Sequence, residues 1–287
     1  MGIPVHLTLV GVSPESADKL LKKTESVFNK WDKIFSRFRP DSELNLINQN
    51  TGKWNKTGRL LFEVIYKCVE LSKETSGAFD PSVGGYLAAA GYGLPKNYSL
   101  PNPPPTYKNI LFDNSEYSIK TASGQILEPA AIVKGMAIDD SGKELIGVPA
   151  WMINAGGDIL TKGEFPEQSF WKIAIQSPTN KAAILTTVKI QNEAIATSGD
   201  YETRWMNGGN EWHHQIDTKT GKPTRGIKSV SVIAKNAEIA DTRTSIISLI
   251  GIKEGIKYAE KKSIPYMIVS DENKIFRNTL FEKRIVT

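Results

Sequence analysis

Residues 213–245 gather the side-chain types that chemistry on hydroxyls and phosphates requires. His213 and His214 are two of the chain's three histidines, and Asp217 stands three positions after His214. In an extended or turning segment, a His and an Asp so spaced can both reach one site. A Lys-Thr-Gly-Lys-Pro turn follows, then a β-branched run, then a helix start carrying Asp241, Thr244 and Ser245. Asp241 and Ser245, four apart, share one helical face. A carboxylate and a hydroxyl there are hard oxygen ligands suited to Mg2+, which takes few protein groups and keeps substrate phosphates as the others. The same residues also fit an ordinary turn followed by an Asp favoured by the helix dipole. Residue types and spacing leave both readings open.

Positioning these groups takes elements that the pattern supplies. Residues 4–10 read as a strand. Ser13-Pro14 is a helix cap with Pro at the first helical position. Ala17, Leu20, Leu21, Thr24, Val27, Trp31 and Ile34 then trace one face, and the helix stops near Phe35 because Pro40 disfavours helical geometry at Arg39. Asp41 or Ser42 can cap a short helix through Asn48. Phe38 lies in the loop between two arginines, where a ring can stack on a heterocycle bearing a phosphate tail or tuck under the core. Thr57 is expected to cap a second amphipathic helix with Leu61, Val64, Ile65, Cys68 and Leu71 on one face, ending near Ser76-Gly77. Gly77 and Pro81 then shape a turn whose backbone groups around Phe79, Asp80 and Pro81 would be free to bond a flat heterocycle.

Residues 101–105 are a Pro-rich connector. Short strands are predicted over 110–112, 117–120 and 125–127. A helix begins near Ala130, with Pro129 close to its first turn. Its N-terminus offers unpaired N–H groups to an anion, and Lys134 lies one turn in. Residues 151–160 read as strand, Gly-Gly turn and strand. A helix from Ala240 stops at Gly251 and another covers 253–262, before strands at 267–270 and 275–277. Strands cluster and helices intervene irregularly, which argues an α+β domain with a mixed sheet and flanking helices.

Six stretches resemble, in order, motifs of the ApbE family of FAD-dependent protein FMN transferases. They are Ser36-x-Phe38 with Ser42-Glu43-Leu44 and Asn48; Gly77-Ala78-Phe79-Asp80-Pro81-Ser82; and Leu127 with Ala131, Ile132, Lys134, Gly135, Ala137 and Asp139. Then come Asn154-x-Gly156-Gly157-Asp158; Ala196-Thr197-Ser198-Gly199-Asp200-Tyr201; and His214-x-Ile216-Asp217-x-x-Thr220-Gly221 followed by Ala240-Asp241-x-x-Thr244-Ser245. The resemblance implies an ApbE-like fold as one unit over residues 1–287. It implies transfer of FMN from FAD to a Thr or Ser hydroxyl of an acceptor flavoprotein subunit in a membrane redox complex or related protein, releasing AMP. It assigns Mg2+ to Asp241, Ser245 and the main-chain oxygen of Ala131. It makes His214 the general base, a task that suits an imidazole of ordinary pKa near ~6.5. Met1, Phe38, Phe79, Asp80, Pro81, Glu128, Lys134 and Gln215 map to FAD contacts. Glu128 replaces the family's usual Asp, Pro129 is unusual, Gln215 replaces a commonly apolar residue, and Ser245 stands where Thr is common. Arg243 is atypical and can pair with a phosphate or crowd the site. Two rivals follow from the same motifs: a hydrolase splitting FAD with water, and a flavin-binding protein without catalysis.

Composition bounds these readings. The 287 residues suffice for one large domain or two modest ones, and 40% hydrophobic content with mixed charge excludes wholesale disorder. No apolar run approaches the roughly 20 residues of a membrane helix. One cysteine, Cys68, excludes an internal disulfide, and so few Cys and His argue against structural zinc. The net charge of +5 favours anionic ligands weakly, and the basic residues are spread out, so no nucleic-acid partner is expected. Met1 at a ligand position suggests that residues before it have been removed, and the family resemblance implies export to the cell envelope or periplasmic side, with a cytoplasmic location as the alternative.

Overall fold

The computed structural model describes every residue except Met1, Leu94, Glu167, Lys181, Asp200, Tyr201, Glu202 and Thr287. The FAD contact expected at Met1 and the Asp200-Tyr201 end of the fifth motif lie outside the described residues.

Strand β1 (Val5–Val10) leads into α1 (Pro14–Phe35), whose start is held by the Ser16 N–H donating to Ser13 Oγ at 3.3 Å. The buried stripe of α1 runs through Thr24, Phe28, Trp31 and Phe35, while Leu21 is about half exposed, contrary to expectation. The aromatic rings set the stripe, and Trp31 stacks on Phe35 at 5.1 Å. Helix α2 (Glu43–Gln49) is capped by Ser42, whose Oγ accepts from the Asn45 N–H at 3.1 Å. After β2 (Trp54–Lys56), α3 (Arg59–Glu74) starts at Gly58 rather than at Thr57. Thr57 is spent elsewhere: its hydroxyl donates to the Tyr117 carbonyl at 2.7 Å, and Glu43 accepts the Gly58 N–H. The predicted apolar face of α3, Cys68 included, is buried throughout. Helix α4 (Gly84–Ala89) and strands β3 (Leu111–Asp113) and β4 (Ser118–Lys120) come next. Residues 125–127 form no strand; the Leu127 N–H is taken by Asn48 Oδ1 at 2.8 Å, a side chain standing in for a ladder partner.

Helix α5 (Ala130–Lys143) precedes the hairpin of β5 (Ala150–Ala155) and β6 (Asp158–Lys162), then the hairpin of β7 (Trp171–Gln176) and β8 (Ile184–Ile190), then β9 (Ala194–Gly199). Two small hairpins follow, β10 (Arg204–Asn207) with β11 (Asn210–His213) and β12 (Ile216–Asp217) with β13 (Lys222–Pro223). The chain ends with β14 (Ile227–Ala234), α6 (Ala237–Lys261), β15 (Tyr266–Ser270), β16 (Ile275–Arg277) and α7 (Thr279–Glu282).

The chain folds into two compact units. The first comprises Met1–Phe28, Lys134–Glu202 and Arg225–Thr287, and the second Asn29–Val133 and Thr203–Thr224. In the first unit a seven-stranded sheet runs in the order β1-β5-β6-β9-β14-β15-β16. Every pair in it is antiparallel, which corrects the expected mixed sheet. A helix between neighbouring strands usually signals a parallel crossover. Here α6 breaks at Gly251, whose φ of 81° is left-handed, so two helical passes rather than one return the chain antiparallel. The sheet is covered on both faces. Val230 and Val232 of β14 pack with Ile247 of α6, while Ile233 packs with Trp171 and Val188 of the β7–β8 hairpin. The second unit has its own core, built on α3 and Trp31, with a small β2-β4-β3 sheet. Among the described residues no helix is long and apolar enough to cross a membrane.

Candidate active site

Two groups of candidate residues converge, one in each unit. In the first unit the close approach of α5 and α6 organises the chemistry. Gly135 makes it possible, since a Cβ there would lie 2.5 Å from the Ala237 carbonyl oxygen. Asp139, one turn further along α5, accepts the Ala237 and Glu238 N–H groups at 2.8 and 2.9 Å, and Asn236 accepts that of Ile239 at 3.0 Å. These caps fix the first turn of α6 and therefore Asp241. The Gly135 N–H donates to Asp241 Oδ2 at 3.0 Å. In a regular helix that N–H serves the carbonyl four residues back, which is Ala131; Asp241 draws on the same donor.

Lys134 Nζ lies 2.9 Å from Asp158 Oδ2, and the Asp158 and Asp241 carboxyl groups are near enough to shift each other's protonation. Burial pushes the Asp158 carboxyl up from its ordinary value, and Lys134 opposes the rise. Burial, then the neighbouring charge of Asp158, push Asp241 well above the usual carboxylate range. Ser245 is buried one helical turn after Asp241. The Arg243 guanidinium bonds the Tyr258 hydroxyl and sits 5.4 Å from that ring's centre. Among the described residues no group of three or more His, Cys, Asp or Glu side chains is placed to hold a metal ion.

In the second unit Phe38 is 58% exposed, which excludes the tucked-under-core alternative. Its ring meets Tyr92 edge-on at 5.8 Å, and the Arg37 guanidinium lies 4.1 Å from the Tyr92 ring centre and 4.9 Å from that of Phe38. Tyr92 stacks on Trp205 at 4.5 Å, and Trp205 on Trp212 at 6.4 Å. This ladder leads into the histidine segment. The sequence pattern missed it, because the rings come from two loops and the β10–β11 hairpin, far apart in the chain.

The backbone around Phe79, Asp80 and Pro81 is not free, as had been expected. The Phe79 N–H donates to Thr75 Oγ1 at 3.0 Å, the Asp80 carbonyl accepts from Val83 at 3.2 Å, and the Pro81 carbonyl accepts from Glu128 at 2.7 Å. The Phe79 side chain is buried. The Asp80 carboxylate accepts the Ser82 and Tyr107 N–H groups at 2.8 and 2.9 Å; burial nonetheless raises its pKa. A cavity of about 190 Å³ opens beside it, lined by Gly77, Ser82, Tyr86, Tyr107 and Thr218.

Glu128 closes the helix start that was expected to receive an anion. Its Oε1 accepts the Ala130 N–H at 3.1 Å, and its Oε2 pairs with Arg37 Nη1 at 2.9 Å. The longer acid in place of the family's Asp is thus accommodated by Arg37. Both partners are largely buried, so Arg37→Ala leaves a carboxylate stranded. It should lower the unfolding free energy by about 3 kcal/mol. Adding Glu128→Gln should recover part of that loss in urea denaturation.

The histidines separate cleanly. His213 is buried; its Nε2–H donates to the Thr224 carbonyl at 2.9 Å, and its Nδ1 accepts the Gln215 N–H at 3.3 Å. Both nitrogens are committed, which fixes a neutral ring in a structural role. His214 is partly exposed and Gln215 buried. The Thr218 hydroxyl donates to the Gly77 carbonyl at 2.7 Å, tying the histidine segment to the 77–82 turn. A larger cavity, about 490 Å³, lies near Lys143, Trp151 and Lys235; the capping residues Asp139 and Asn236 line it, but no residue assigned to FAD, metal or catalysis does.

The fold is α+β, with a Lys–Asp–Asp cluster in the first unit and an exposed aromatic–arginine loop in the second. The chain belongs to the ApbE family, whose model matches residues 1–268. The FAD:protein FMN transferase of Haemophilus influenzae is 27% identical, covering 95% of this chain and 85% of that protein. The FAD:protein FMN transferase of Vibrio cholerae is 28% identical, covering 89% and 81%. Among solved structures, the ApbE protein of Thermotoga maritima MSB8 matches with a TM-score of 0.86 at 25% identity, covering 100% of this chain and 97% of that one. The flavinyl transferase ApbE of Pseudomonas stutzeri, at 22% identity and a TM-score of 0.82, shares the fold.

Proposed function

We propose that this protein is an FAD:protein FMN transferase. An acceptor hydroxyl attacks the phosphorus on the FMN side of the FAD pyrophosphate, a new P–O bond forms, the bridging P–O bond breaks, and AMP leaves. The hydroxyl proton goes to His214. The observation that carries this reading is the Lys134–Asp158–Asp241 cluster, formed by residues of stretches that resemble ApbE-family motifs, in a chain similar to proteins that bear the transferase name. Lys134 supplies the cation for the pyrophosphate. Phe38, Phe79, Asp80, Pro81, Glu128 and Gln215 are assigned to FAD, mostly as wall and frame, since their polar groups are largely engaged within the protein.

The donor chemistry fits Mg2+. Asp241 gives a buried carboxylate and Ser245 a hydroxyl, and the main-chain oxygen of Ala131 is the third proposed ligand. Bound there, the ion would neutralise charge developing on the pyrophosphate. The acceptor is proposed to be a Thr- or Ser-bearing flavoprotein subunit of a membrane redox complex, met on the cell-envelope side.

Incubation with FAD and Mg2+, with and without a Thr-bearing acceptor peptide, tests the reading. AMP released only with peptide, together with an FMN-sized mass gain on the peptide, supports transfer. AMP without peptide means hydrolysis, and no AMP in either arm means binding alone. Lys134→Ala should weaken FAD binding by about 1.5–3 kcal/mol, the worth of a charge-assisted contact. Equal affinities in calorimetric titration would remove Lys134 from the pyrophosphate.

A further inference from the structure

We propose that Asp158 is a positioning residue for the transfer: its buried carboxylate fixes the Lys134 ammonium so that the FAD pyrophosphate meets a cation already oriented. This rests on the assignment of Lys134 to the pyrophosphate.

Asp158 is 1% exposed and opens β6, inside the seven-stranded sheet. It is anchored from several directions. The preceding turn has φ of 61° at Gly156 and 97° at Gly157, and is closed by the Gly157 N–H on Asn154 Oδ1 at 2.9 Å. The Gly156 N–H donates to the Pro4 carbonyl at 3.0 Å. On β9, the Thr197 N–H points at Asp158 Oδ1 from 3.4 Å. The carboxylate therefore has no freedom to follow a moving lysine; the lysine must come to it. Lys134, on a flexible four-carbon stem, keeps a quarter of its side chain exposed while paired with Asp158. The Asn-x-Gly-Gly-Asp motif thereby gains a purpose beyond a tight turn: the glycines and Asn154 aim the carboxylate, and the carboxylate aims the lysine.

FAD affinity, read from quenching of flavin fluorescence in EDTA, tests this on the full chain. The proteins compared are the parent, Lys134→Ala, Asp158→Asn and the double variant. Each single change is expected to weaken binding about tenfold, with the double variant no weaker than Lys134→Ala. Parent-like affinity in Asp158→Asn, alongside a weakened Lys134→Ala, overturns the positioning role and leaves the Lys134 assignment intact. Losses that multiply in the double variant also overturn it, since a merely structural Asp158 would act without Lys134. Parent-like binding by Lys134→Ala defeats the underlying assignment and this inference together. Should Asp158→Asn not fold, Asp158→Glu keeps the charge but moves it by one methylene. It should bind FAD more weakly at an unchanged melting temperature, and parent-like binding by that variant overturns the proposal.

Discussion

His214→Ala is expected to lose FMN transfer by about 10²- to 10⁴-fold while keeping its affinity for FAD, the range that general-base catalysis supplies. An acceptor hydroxyl is a poor nucleophile until a base takes its proton as the P–O bond forms. His213 cannot serve, because one ring nitrogen donates to Thr224 and the other accepts from Gln215. The structure also revises what His213→Ala should do. Side-chain alternation by itself would make the change nearly silent, but two buried hydrogen bonds go with the ring. His213→Ala should therefore retain transfer chemistry while losing about 1–3 kcal/mol of stability. Mass spectrometry of FMN incorporated into a Thr-bearing peptide, with thermal melts of both variants, separates the two roles. A dead but stable His213→Ala would place the base at the wrong histidine, and an active His214→Ala would remove it from the segment.

What the sequence made legible was local. The Ser42 cap, the α3 stripe, the stop at Gly251 and the Gly-Gly hairpin each depend on residues within one or two turns of each other, where periodicity and cap chemistry act. What it concealed depends on distant partners. Arg37 and Glu128 are 91 positions apart, and neither looks unusual until the other stands beside it. Thr57 fits a helix cap until Tyr117, 60 positions on, claims its hydroxyl. The 125–127 stretch has strand composition, but Asn48 takes its N–H before any strand can. The Asp158 carboxylate was visible in its motif, yet the motif says nothing of Lys134, which a different element supplies. The signal available was charge: a buried Asp after a Gly-Gly turn needs a cation or a proton, and Lys134 is the one lysine that stands at a matched motif position.

The second large effect is expected from Asp241→Asn, which should cut AMP release and FMN transfer by about 10³-fold, a loss of several kcal/mol in charge stabilisation. The amide keeps the carboxylate's shape but not the charge that a hard cation requires. A stability signature should accompany the loss and shows that the fold survives. Burial and Asp158 hold the Asp241 pKa well above its unfolded value of about 3.9. The folded state therefore binds this proton more tightly than the unfolded chain does. Its stabilising contribution is complete below about pH 3.9 and is lost as pH rises through the folded pKa. Without Mg2+, the parent should thus melt at progressively lower temperature as pH climbs above that range, and Asp241→Asn should flatten the slope. At pH 8 in EDTA the variant should melt no lower than the parent. Added Mg2+ should raise the parent's melting temperature by mass action and leave that of Asp241→Asn unchanged. Turnover that resists EDTA and survives the substitution would eliminate the metal from the mechanism, and an unchanged pH slope would show that Asp241 does not hold the buried proton.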